Sequence, residues 1–124
     1  VAVARAIGAD LDVVHVIPPV EFLLPMIGPI ATAPPKTAVP ARELARRVAQ
    51  IPHRGVRISS RVVVGSPAEM LVGEARRGDA RLVVVGSTTK SRVREAFLGS
   101  VAQAVAAACP VSVLVVRGPS ARGR

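Results

Sequence analysis

Tryptophan and tyrosine are absent from these 124 residues, and Phe22 and Phe97 are the only aromatic side chains. Almost nothing is left for bases to stack on, which argues against recognition of single-stranded DNA or of RNA. A core must instead come from Val, Leu, Ile and Ala, within a chain that is half apolar. Such a composition suits a buried parallel sheet under alanine-rich helices and excludes disorder of the whole chain. Cysteine is nearly missing too. Cys109 stands alone, so an internal disulfide and a cysteine-rich zinc site are excluded. Placed before Pro110 at the end of an apolar helical stretch, it reads as a buried structural thiol.

Acidic residues are scarce. Eight Asp and Glu face 17 Lys and Arg, a formal charge of +9, and every basic residue except Lys36 and Lys90 is arginine. The charges are scattered along the chain rather than gathered in one block. A solvated, arginine-rich surface is therefore expected, and nucleic acid is not expected as a partner. No long apolar run is present either. The greasiest region, 16–30, is broken by Pro18, Pro19, Glu21, Pro25 and Pro29, so no membrane span is expected. No secretory signal opens the chain, and a cytoplasmic protein is the simplest expectation. The two histidines, His15 and His53, have no His, Cys or paired carboxylate at ligand spacing, and no metal site is expected.

What is present is ordered as alternating strands and helices. Val1, Ala4 and Ile7 mark a helix stopped by Gly8, and 11–17 is a β-branched strand. A proline-rich loop covers 18–40. Its centre (Phe22, Leu23, Leu24, Met26, Ile27) is too apolar for a plain linker and reads as a lid or a contact surface. A helix then carries Ala41, Leu44, Ala45 and Val48 on its buried stripe and runs up to Pro52. A half-exposed strand follows at 57–64. Ser66-Pro67-Ala68-Glu69 reads as a capping box opening a helix that buries Ala68, Leu71, Val72 and Ala75 and ends at Gly78. After a fully apolar strand at 82–85, a helix with Leu98, Val101, Ala102 and Val105 on one stripe runs to Pro110. Its start is assigned to Ser100 as N-cap. The last strand runs from Val111 to Val116, and 118–124 is expected to be a basic, disordered tail. Short turns between these elements imply βαβ units and a parallel α/β sheet. Half a helix at the start, with no strand before it, predicts that about 20 residues precede Val1 in the whole domain, including a strand.

One stretch offers chemistry. Val83-Val84-Val85-Gly86-Ser87-Thr88-Thr89 ends a strand in glycine, and a basic loop with Lys90, Arg92 and Arg94 leads to Gly99-Ser100-Val101 at a helix start. Backbone N–H groups and a helix N-terminus in that order can surround an anion such as a nucleotide phosphate. No Ser-His-Asp set, HExxH or full P-loop is present, and no enzymatic activity is expected.

Gly65-Ser66-Pro67-Ala68-Glu69, Leu82-Val83-Val84-Val85-Gly86-Ser87, Leu98-Gly99-Ser100-Val101-Ala102 and Cys109-Pro110-Val111-Ser112-Val113-Leu114-Val115-Val116 together resemble the universal stress protein family. His15-Val16-Ile17-Pro18-Pro19 is similar to the end of that family's second strand. The resemblance implies a domain over 1–117 with a Rossmann-like (adenine nucleotide alpha hydrolase-like) fold. Its parallel sheet would have family strand order 3-2-1-4-5, helices on both faces and the first strand outside this chain. It also implies a homodimer through the strand from Val111 to Val116, and a stress-response regulatory role. One branch of the family binds ATP through G-x2-G-x9-G-[S/T], with Mg²⁺ only as a companion of ATP. Here the pattern reads Gly86-x2-Thr89-x9-Gly99-Ser100, with threonine for the second glycine. By the same resemblance, adenine would rest near Val16 and Val85, and phosphates near Gly86, Thr88, Thr89, Gly99, Ser100 and Val101. Threonine adopts positive φ poorly, at a cost of about 1 kcal/mol or more. Two outcomes stay open. The loop takes another path and loses the cradle, or threonine hydroxyls and the loop's basic side chains replace the lost N–H donors. The alternative function is a dimeric interaction module that does not bind ATP.

Overall fold

A computed structural model describes residues 1–19, 37–87 and 99–117. The Phe22–Ile27 centre of the proline-rich loop, Thr88, Thr89, the basic loop, Leu98 and the 118–124 tail lie outside the described residues. The chain divides into two units, Val1–Ser66 and Pro67–Arg124.

The first unit holds α1 (Ala2–Ile7), β1 (Leu11–Ile17), α2 (Ala38–Ala49) and β2 (Ile58–Val64). Gly8 takes φ 63° beyond α1, and the N–H groups of Gly8 and Ala9 return to the carbonyls of Arg5 and Ala4. This is the left-handed stop that glycine permits at no steric cost. β1 and β2 pair in parallel from Leu11↔Ile58 to Ile17↔Val64, and the Gly65 N–H extends the ladder to the Ile17 carbonyl at 3.0 Å. α2 packs on β2. Val48 is buried as its spacing predicts, but Ala45, expected on the same stripe, is exposed. Ala45 lies three residues before Val48, at the margin of the apolar stripe rather than its centre.

The basic surface of this unit is laced with carboxylates. Asp12 accepts from the Ser59 hydroxyl at 3.0 Å and from the Arg61 guanidinium. Asp10 lies 3.5 Å from Arg57. On α2, Glu43 accepts from Arg46 at 2.8 Å and from Arg47 at 2.9 Å, one turn away on the same helix face. The hydrogen bonds from Arg46, then Arg47, hold the Glu43 carboxyl down from 4.5 to about 2.

The second unit holds α3 (Pro67–Arg77), β3 (Leu82–Gly86), α4 (Ser100–Ala108) and β4 (Ser112–Val116). β3 pairs with β4 in parallel, Leu82↔Ser112 to Gly86↔Val116, and the Ser87 N–H extends the ladder to the Val116 carbonyl at 2.9 Å. α4 packs on α3 and on β4. Val72, Ala75, Ala102 and Val105 form the buried core, with Ala102 1% and Val105 0% exposed. Val101, assigned to the buried stripe from sequence, is exposed. It precedes Ala102 by one residue and so turns about 100° away from it on a helix of 3.6 residues per turn.

The parallel α/β pairing agrees with the expected fold class. Among the described residues it is distributed as two two-stranded sheets, β1-β2 and β3-β4. Among the described residues β3 pairs with β4 alone, and its Val84 is 50% exposed. Helix α3 ends at Arg77, immediately before Gly78, as expected. The Gly78 N–H still donates to the Glu74 carbonyl, and Asp79 takes the left-handed turn at φ 47°, with the Ala80 N–H reaching Ala75. Gly78 follows the last helical residue, and the left-handed conformation falls one position later. A β-carbon-bearing residue carries the strain that glycine would relieve.

Val105→Ala, which deletes two buried methyl groups, is expected to cost about 2 kcal/mol in urea unfolding. Asp79→Gly is expected to stabilise the chain by about 0.5–1 kcal/mol by relieving the left-handed residue, read as a higher urea midpoint at unchanged slope. In an NMR pH titration, Arg46→Ala should return the Glu43 carboxyl toward 4.5 from about 2. A depressed carboxyl stabilises the fold above its unfolded pKa, and that contribution is lost as pH falls toward 2. The variant should lose less stability than the parent between about pH 4.5 and 2.

Candidate functional site

Two adjacent parallel strands joined through a helix force that helix to run back along them. In the second unit the carboxyl end of β3, at Gly86, and the N-terminus of α4, at Ser100, therefore lie at the same end. Of the candidates named from sequence, Val85, Gly86, Gly99, Ser100 and Val101 all belong to this unit. Val16 sits in β1 of the first unit, paired with Val63. Thr88 and Thr89 fall outside the described residues.

The start of α4 is built from backbone. Gly99 is the N-cap, and no side chain caps the helix. Ser100, expected as the cap, is instead the first helical residue, one position too late to accept from the N–H groups of the first turn. Helix geometry leaves the N–H groups of Ser100, Val101 and Ala102 without intrahelical acceptors, while the Gln103 N–H closes the first turn on the Gly99 carbonyl at 3.0 Å. No acidic residue stands in the first turn and no basic one in the last. The helix dipole, about half a positive charge at this end, is thus left without a carboxylate nearby on the same helix.

Gly99 has φ −58° and ψ 154°, an extended conformation open to any residue. Glycine is not demanded there by the backbone. What it provides is the absence of a side chain in front of the helix start. Ser87, not singled out from sequence, limits the other half of the arrangement. Its N–H is committed to Val116 and is lost as an anion donor. No sequence signal marks this, because the bond is one step of the strand ladder beyond Gly86↔Val116. Val85 is half-buried, and Gly86 and Ser100 are exposed.

His15 is exposed on β1, and His53 Nε2 lies 3.4 Å from the Val48 carbonyl oxygen. Cys109 is half-buried rather than buried. Its N–H closes α4 on Val105 at 2.9 Å. Among the described residues no three His, Cys, Asp or Glu side chains gather to hold a metal ion. No described helix is long and apolar enough to cross a membrane.

Residues 1–117 match the model of the Universal stress protein family. The chain is 38% identical over 65 residues to Universal stress protein MJ0531 of Methanocaldococcus jannaschii, covering 52% of this chain and 38% of that protein. The matched stretch thus spans under two-fifths of the relative's length. Among solved structures, hypothetical protein MJ0577 aligns with a TM-score of 0.64 at 23% identity, over 91% of this chain and 78% of the other. That likeness concerns the fold. A universal stress protein in complex with cAMP aligns with a TM-score of 0.57 at 29% identity, over 91% and 77%.

Proposed function

The chain belongs to the universal stress protein family, and from that premise we propose that it is a stress-response regulatory protein that binds a nucleotide without transforming it. The observation that carries this reading is the start of α4. A helix N-terminus with no side-chain cap and no acidic residue in its first turn stands at the carboxyl end of β3. Three backbone N–H groups and the helix dipole there suit a phosphate. The Gly86-x2-Thr89-x9-Gly99-Ser100 spacing supports the same assignment. So does the solved family member that holds cAMP.

ATP is the proposed ligand. In the second unit, the backbone N–H groups of Ser100, Val101 and Ala102 would hold phosphate, with Gly86 and Gly99 beside them. Binding rather than catalysis is proposed because the sequence carries no Ser-His-Asp set, HExxH or full P-loop.

Calorimetric titration of the protein with ATP, and separately with cAMP, should show saturable binding. Gly99→Val leaves the backbone undistorted but places a branched side chain before the helix start. It should weaken binding on the order of tenfold. Thr89→Gly should strengthen it. Absence of heat and of thermal shift at millimolar ATP and cAMP overturns the reading.

β4 favours a second reading, a dimeric interaction module. Its residues Ser112–Val116 carry no charge and no proline, and Val116 is 47% exposed. Among the described residues it pairs on one side only. Natural proteins usually protect such an edge with a charge, a proline or a bulge. Light scattering at micromolar concentration should give a dimer, and Leu114→Lys should shift it toward monomer. A monomeric parent protein would exclude this assembly.

A further inference from the structure

We draw no further inference here: the strongest candidate, the exposed apolar face of the β3–β4 sheet formed by Val84, Leu114 and Val116, carries nothing because nothing in the structure shows what covers it.

Discussion

Parallel strands cannot be joined by a hairpin, because the chain must travel back to the start of the first strand before it can run beside it. In the second unit α4 makes that return. The in-register pairing of β3 with β4 therefore decides where α4 begins, and with it where unpaired N–H groups and positive helix potential are found. Val105 and Ala102 hold the helix in place by burial alone. The candidate site thus rests on a hydrophobic contact made by side chains buried in the core. Its polar groups belong to the backbone, which explains how so few chemical side chains accompany it.

The first unit repeats the same βαβ logic with a different surface. β1 and β2 are in register over their full lengths, and each unit's ladder gains one further bond beyond its strands, at Gly65 and at Ser87. Its arginines meet carboxylates at Asp10–Arg57, Asp12–Arg61 and Glu43 with Arg46 and Arg47. These groups are largely exposed, and such pairs contribute little to stability individually. Several of the 17 basic side chains are thereby drawn into local pairs on helix and strand faces, while the net charge of +9 is unchanged.

Much of the element order was legible in the residues. Leu11–Ile17 is bounded as its β-branched run suggested, Gly8 stops α1, and the apolar runs at 82–85 and 111–116 match strands β3 and β4 to within one residue. Periodicity was less able to tell the centre of a helix stripe from its margins, so Ala45 and Val101 were placed inward and lie outward. Residue preference also misjudged a helix start. Serine is a better cap than glycine in general, yet Gly99 caps α4. The case turns on a one-residue phase, which depends on where the packed helix meets its neighbours.

The amino-acid order by itself determined the family, the alternation of strands and helices, and the Gly86-x2-Thr89-x9-Gly99-Ser100 spacing. These are local or periodic properties that a linear pattern carries. Only the tertiary structure decided that the α4 start has no side-chain cap, that Gly99 adopts an ordinary extended conformation, and that the Ser87 N–H is spent on the strand ladder. Each depends on which backbone groups find partners across the fold. Hydrogen bonding between segments distant in sequence settles that, and residue type at one position does not.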